Sequence, residues 1–364
     1  MNPEDPEAPA TPHSRRPRYK GKNPRAFHER YKELNPVAYP GIQEHVRSRG
    51  GTPAGTHVPI LVAEVMAALA PAPGEVVIDC TLGYGGHAGE FLRRVAPGGR
   101  VIALDRDGDQ LWRTVERLAP EFGEALVPRH ADFGRLEGVL AAGGEVGVDV
   151  IFADLGVSSM QIDDPARGFG YRADGPLDMR MDRHSARTAA DLVATMGQGE
   201  LAAALRDLAD EEYAEAIAAA VVRRRERRPI ARTLDLVEVV AGAVGHATRG
   251  RHEEPAPGAK VQHPAARTFQ ALRILVNDEL GALARLLNGA GGCLNPGGRI
   301  GILSFHSGED RLVKGSFRDG LRGGIYEQVS DEAVRAGPEE VRGNPRSASA
   351  RFRWARRARG EEAG

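Results

Sequence analysis

Apolar positions along this chain follow three different periods in turn. From residue 57 to residue 154, short apolar runs alternate with stretches of helical spacing. Val76, Val77 and Ile78 form the first run and end at Asp79, after which Ala88, Phe91, Leu92 and Val95 recur at helical intervals. Residues 100–104 predict a second strand, Leu111, Val115 and Leu118 a helix, and residues 125–127 a third strand. The fourth, residues 149–154, is apolar through its middle, as a strand covered on both faces should be. Ahead of these, Pro59 suits the first position of a helix with Ile60, Leu61, Val65, Met66 and Leu69 on one face. Strands alternating with helices predict a parallel sheet.

The alternation stops at about residue 163. Through residue 260 the period is helical or absent, with Leu201, Ala204, Leu205 and Leu208 on one face and Ile217, Val221 and Val222 on the next. This predicts a helical insertion between the fourth and fifth strands. Its run Arg223-Arg224-Arg225-Glu226-Arg227-Arg228 reads as a basic helix end, favourable there with or without a phosphate partner. Residues 246–260 read as the returning loop. One long helix is expected next, with Phe269, Leu272, Val276, Leu280, Leu283 and Leu287 inward and Arg267, Gln270, Arg273 and Asn277 on the other face. Residues 298–305 predict a fifth strand and residues 309–321 a helix. At the end, Ala348, Ala350, Phe352 and Trp354 alternate with Ser349, Arg351 and Arg353, the period of a half-exposed strand at a sheet edge.

Composition narrows the class. A chain of 364 residues with 41% hydrophobic content can bury one large core or two medium ones. No apolar run nears the ~18 residues of a membrane span, and the first residues lack a secretory pattern, so a soluble cytoplasmic protein is expected. Cys80 and Cys293 are the only cysteines, and no Cys or His spacing suits a metal, so neither disulfides nor a metal are expected. The net charge of −1 says little, but its distribution is uneven. Residues 13–49 hold ten Lys or Arg against three Glu, and residues 342–359 hold seven Arg and no acid. Residues 1–50, Pro-rich and aperiodic, read as a basic disordered arm, and two basic ends point to a polyanion. Nothing in the sequence distinguishes a monomer from a homodimer.

The first strand runs into Leu82-Gly83-Tyr84-Gly85-Gly86-His87, and the second delivers Asp105 nineteen residues beyond Gly86. A glycine loop opening a helix, followed by a carboxylate at the next strand end, is how a βαβ unit holds an adenosine-like cofactor against ribose hydroxyls. Side chains at Gly83, Gly85 or Gly86 would hold the backbone off a ligand and strain positive φ. Gly83 to Ala88 also satisfies the dinucleotide pattern G-x-G-x-x-A, so a nicotinamide-dependent oxidoreductase stands beside a methyltransferase on this loop alone. The fourth strand ends in Asp154-Leu155-Gly156-Val157-Ser158-Ser159-Met160-Gln161, where an open α/β sheet binds its ligand. The turn resembles the one at which amino-methylating transferases of this architecture offer a carboxylate or amide and a main-chain carbonyl to the amine, roles that Asp154 and the Leu155 carbonyl would fill. Ser158 and Ser159 read first as turn caps, His306 as a satisfied histidine and both cysteines as small buried hydrophobes.

With these stretches in view, the chain resembles the bacterial S-adenosylmethionine-dependent cytosine-N4 methyltransferases of small-subunit (16S) ribosomal RNA. The resemblance is carried by the glycine loop, Leu104-Asp105-Arg106-Asp107, the Asp154 to Gln161 octet, Arg167-Gly168-Phe169, Gly175-Pro176-Leu177-Asp178-Met179-Arg180-Met181-Asp182, His263-Pro264-Ala265-Ala266-Arg267-Thr268-Phe269-Gln270, Ser304-Phe305-His306-Ser307 and Asn344-Pro345-Arg346-Ser347. It departs from the family at Gly308, where Leu is usual, and at Asp210, where Gly is usual. It implies an α/β fold, a Rossmann-like class I methyltransferase domain with a mostly parallel sheet, made of residues 51–162 and 261–364. Residues 163–260 would be a helical, substrate-recognising insertion. It further implies S-adenosylmethionine over Gly85, Gly86 and His87, with Asp105 on the ribose, Phe133 near the adenine, and Asp154 and Gln161 closing the site. The implied partner is the small ribosomal subunit; the polar face of Arg267, Gln270 and Arg273, turned away from the apolar stripe, predicts that this helix and the insertion form an RNA-facing wall of the cleft. A catalytically inactive assembly factor on the same fold would be marked by loss of Gly85, Gly86 or Asp105, and all three are present.

Overall fold

A computed structural model describes residues 59–248 and 263–360. The basic arm and most of the returning loop lie outside the described residues. Helix α1 (Val62–Leu69) leads into β1 (Val76–Asp79), α2 (Gly86–Val95), β2 (Arg100–Asp105), α3 (Gly108–Phe122), β3 (Leu126–His130), α4 (Leu136–Gly143) and β4 (Val148–Asp154). The short α5 (Ser159–Asp163) then opens a helical stretch of α6 (Ala189–Thr195), α7 (Gln198–Ala209), α8 (Ala214–Arg225) and α9 (Thr233–Ala247). After it come α10 (Ala266–Asn277), α11 (Glu279–Cys293), β5 (Leu294–Ser304), α12 (Ser307–Arg322), β6 (Tyr326–Val329), α13 (Pro338–Gly343) and β7 (Arg351–Arg357).

The seven strands lie in the order β3-β2-β1-β4-β5-β7-β6. Strands β1 to β5 are mutually parallel, whereas β7 runs antiparallel to both β5 and β6. The expected parallel sheet is therefore mixed at one side. Buried Val77, Val101, Val150 and Phe152 face α1, α2 and α3, and Ile78, Ile102, Ile151 and Ile302 face α4, α11 and α12. Two apolar faces on one sheet explain why β4 reads as a continuous apolar run.

Three expectations are corrected. Pro59 precedes α1 by three residues, and Leu61, at φ 56, is the residue before its first turn. The long helix is two helices. Asn277 is buried, its Nδ2 donating to the carbonyls of Met179 (2.8 Å) and Arg273 (2.9 Å) and its Oδ1 accepting from Met181 N–H (2.8 Å). With that residue tied to the insertion, Asp278 turns into the left-handed region at φ 47 and a helix cannot continue. The step from Val276 to Leu280 still spans four residues, so the period hides the break.

The C-terminal strand forms, but not at the edge. It lies between β5 and β6, with Phe352 and Ala355 buried and Arg353 only 7% exposed because its Nε donates to Asp310 at 2.7 Å. A buried, paired arginine imitates an exposed one in sequence. Of the C-terminal arginines, Arg351 and Arg353 face Asp310 and Arg357 donates to the Leu294 carbonyl, whereas Arg342, Arg346 and Arg359 are exposed, Arg342 facing Glu339.

The helical stretch has its own apolar core, including Leu201, Leu205, Ile217, Val221, Leu236 and Val240. Phe269, Ala271 and Leu272 of α10 join it, so α10 belongs by packing to the insertion it follows. Asp210 ends α7 at φ 49, which explains a glycine preference at that position.

Candidate active site

The carboxyl ends of β1, β2, β4 and β5 open into a cleft of about 390 Å³, walled on the far side by α10, the start of α11 and the start of α12. The loop after β1 is tied down from both sides. Gly83 N–H donates to Asp105 Oδ2 (2.8 Å), and the Gly83 carbonyl accepts from Gln110 Nε2 (3.1 Å) and Thr114 Oγ1. Asp107 N–H donates to the other Asp105 oxygen at 2.8 Å. Asp105 thus fixes the loop while its remaining lone pairs stay available to a ligand.

The glycines have separate reasons to be glycine. Gly85, at φ 66, does not line the cleft, and a Cβ there would lie 2.6 Å from Leu118 Cδ1 and 2.9 Å from Thr114 Cγ2. Its smallness lets the loop lie on α3, beneath Gly86. Gly86 does line the cleft, and a Cβ there would strike the Pro59 ring at 2.8 Å.

His87 is buried in the first turn of α2, with Nε2 3.0 Å from the Ile60 carbonyl and Nδ1 3.7 Å from Asp154 Oδ2. Phe133 lines the cleft and packs on the core behind it. Asp154 N–H donates to Thr81 Oγ1 at 2.6 Å. Ser158 caps α5: its Oγ accepts from Gln161 N–H (3.2 Å) while its own N–H donates to Gln161 Oε1 (2.9 Å). The spare amide of Gln161 donates to Asp107 Oδ2 at 2.8 Å. Gln161 therefore lines the cleft as a member of a fixed network.

The cleft is rich in buried carboxyls. Burial pushes Asp79 up to about 7, opposed by the Thr81 N–H and reinforced by Asp105. Asp105 rises to about 6, again by burial, with the Asp107 and Gly83 N–H groups holding it back. Asp154 rises to about 8, through burial and then the charges of Asp79 and Glu309. Burial alone would also raise Glu309, yet it sits below its ordinary value because His306 (3.2 Å), the Phe305 N–H and Arg273 favour its charge. The Cys80 thiol is raised well above its ordinary value by burial, then by Asp79.

Arg273 is not on an outer face. It lies in the cleft wall, its Nε and Nη2 each 2.8 Å from a Glu279 oxygen across the helix break. Gln270 lines the cleft, and Arg267 is half-buried and donates to the Asp210 carbonyl at 2.6 Å. Sequence reasoning also left without a role a buried knot around Asp107, whose Oδ2 accepts from Arg167 Nη1 at 2.7 Å while Arg167 Nη2 donates to the Arg180 and Met181 carbonyls. The motifs Asp105-Arg106-Asp107 and Arg167-Gly168-Phe169 were visible, but nothing in spacing says that they touch.

The chemistry of this donor set fits S-adenosylmethionine. A carboxylate stands at the end of β2 for ribose hydroxyls, Phe133, Leu82 and Ala282 offer an apolar wall, and buried acids suit a sulfonium. Sheet order, glycine loop and strand-end carboxylates together define a Rossmann-like methyltransferase that uses S-adenosylmethionine. Residues 54–358 match the MraW methylase family, and the chain belongs to that family. It is similar to ribosomal RNA small subunit methyltransferase H 1 of Lachnoclostridium phytofermentans, at 42% identity over 95% of this chain and 93% of the relative. It is also similar to ribosomal RNA small subunit methyltransferase H of Acidothermus cellulolyticus (45% identity, 84% of this chain, 95% of the relative) and of Symbiobacterium thermophilum (43%, 82% and 95%). Among the described residues no cluster of three or more His, Cys, Asp or Glu could hold a metal, and no helix is long and apolar enough to cross a membrane.

Proposed function

We propose that this protein transfers the methyl group of S-adenosylmethionine to N4 of a cytosine in the decoding region of 16S ribosomal RNA, acting on the small subunit in the cytoplasm. The observation that carries the chemistry is Asp154, a half-buried carboxyl at the end of β4 that opens onto the same cleft as the glycine loop. Bound there, the cofactor supplies an electrophilic methyl on a positively charged sulfur. Asp105 holds ribose hydroxyls, Phe133 lies against the adenine, Gly86 and His87 floor the site on the foundation that Gly85 makes, and Gln161 closes it.

An exocyclic amine conjugated with its ring is a weak nucleophile. Asp154 and the Leu155 carbonyl accept its hydrogens and so favour the pyramidal nitrogen. Alignment in a closed cleft supplies much of the rest, since effective molarities of ~10⁵ M or more are available to oriented reactants. Methylation at carbon 5 would need a thiolate to add to the ring. Cys80 lines the cleft, but its burial keeps it a thiol.

Residues 163–260 serve as the substrate-recognising insertion, meeting RNA through exposed Arg223, Arg227 and Arg228 on one side and Arg267 on α10. The test is to incubate the protein with labelled S-adenosylmethionine and unmodified small subunits, then digest the RNA to nucleosides. Label in N4-methylcytidine is expected. Label in 5-methylcytidine or a methyladenosine would refute the assignment.

A further inference from the structure

We propose that Asp154, with His87 beside it, takes up the proton released from the amine as it is methylated, and that the charge of the bound cofactor switches Asp154 from acid to base. This rests on the amine-methylation reading above and adds a role that the resemblance does not assign to His87.

The geometry defines the imidazole. His87 Nε2 lies 3.0 Å from the Ile60 carbonyl, and a carbonyl can only accept, so Nε2 carries the hydrogen. In the neutral ring the lone pair is then on Nδ1, the atom 3.7 Å from Asp154 Oδ2. That is too long for a hydrogen bond, but active-site pairs often tighten only when substrate is bound. The Phe152 ring, 4.7 Å away between centroids, supports the imidazole from the strand side. Asp154 is itself pinned through its backbone by Thr81.

The charged and titratable groups facing Asp154 are His87 from α2, Asp79 from β1 and Glu309 from α12. The cationic groups farther along the wall serve other acids: Arg273 binds Glu279, and His306 stands 3.2 Å from Glu309. Asp154 thus sits among acids with His87 as its near neighbour, and burial with those charges raises its pKa to about 8. It carries its proton near pH 7.

Transfer changes this balance within a single step. The N4 lone pair forms the new N–C bond, the C–S bond breaks with its pair left on sulfur, and one N4 proton must leave. While a cation is held in the cleft, Asp154 is drawn into its carboxylate form. Once the positive charge is consumed, burial and the neighbouring acids restore its proton affinity, and it takes the proton that N4 gives up. Nδ1 of His87 accepts a hydrogen bond from the new carboxyl, making His87 a positioning residue and Asp154 the group that meets substrate.

Calorimetry in two buffers of different ionisation heat tests the switch without turnover. At pH 7, S-adenosylmethionine should release close to one proton on binding to the full chain, and its uncharged-sulfur product S-adenosylhomocysteine markedly less; Asp154→Asn should erase the difference. In single-turnover transfer, Asp154→Asn should be slower by about 10²-fold. His87→Leu should be slower by about tenfold with a displaced pH profile, and His87→Gln, which keeps an acceptor, should recover most of the rate. Equal proton release by the two ligands, or a fully active His87→Leu protein, would overturn the proposal. If the wild-type protein transferred no label to cytosine N4, the proposal would fall together with the function beneath it.

Discussion

Gly86 shows how tightly a single atom is specified. Its missing Cβ is the space occupied by the Pro59 ring at 2.8 Å, so Gly86→Ala forces that ring away and should destabilise the fold by about 1–3 kcal/mol, read as a lower urea midpoint with unchanged slope. Asp79 and Asp154 give a second residue-scale expectation. Both hold protons more tightly folded than unfolded, with folded values near 7 and 8 against 3.8. Between about pH 4 and pH 8 the folded state therefore binds more protons, and stability falls as pH rises through that window. Urea midpoints at pH 5 and pH 8 should differ in that direction, and Asp154→Asn should reduce the difference. Asp105 and Asp154 were legible in sequence because strand-end carboxylates announce themselves. Arg273 and Arg353 were not, since a buried, paired arginine and a solvated one have the same letter and the same spacing.

At the scale of elements, strands β1 to β5 and most helices follow from period and turn chemistry. The failures lie where a tertiary partner intervenes: at Asn277, held by Met179 and Met181, and at β7, covered on both sides by neighbours that the chain supplies earlier. The Asp107 knot joins elements in the same way. Asp107 caps α3, its N–H orients Asp105, and its carboxylate binds Arg167 and Gln161 from beyond β4. Arg167→Met leaves a carboxylate that is 2% exposed without its cation and should destabilise by about 3–5 kcal/mol. Because the same knot orients Asp105, proposed to hold the ribose, cofactor affinity measured by equilibrium dialysis below the unfolding range should fall as well. Unchanged affinity would show that Asp105 is held by the loop alone.

For the whole molecule, charge along the chain proved a weaker guide than pattern. Arg351, Arg353 and Arg357 are used inside the fold, which leaves exposed Arg342, Arg346 and Arg359, together with the insertion and the arm of residues 1–50, as the basic regions to set against RNA. If the arm neutralises phosphates, each one should steepen log affinity against log salt by about 0.7 to 0.9. Deleting residues 1–50 should then weaken subunit binding and flatten that slope, with cofactor affinity unchanged; an unaltered slope would leave the arm without a role in binding. The pairing of β4 with β5 bears on how the protein is made. Asp154 finds its partner in Leu303, and the whole insertion is synthesised between them. At typical elongation rates of 5–20 residues per second, β4 waits roughly 7–30 s with one edge bare. During that interval the growing chain is half a sheet with an apolar flank, so the nascent protein is most prone to aggregate while its own insertion is being translated.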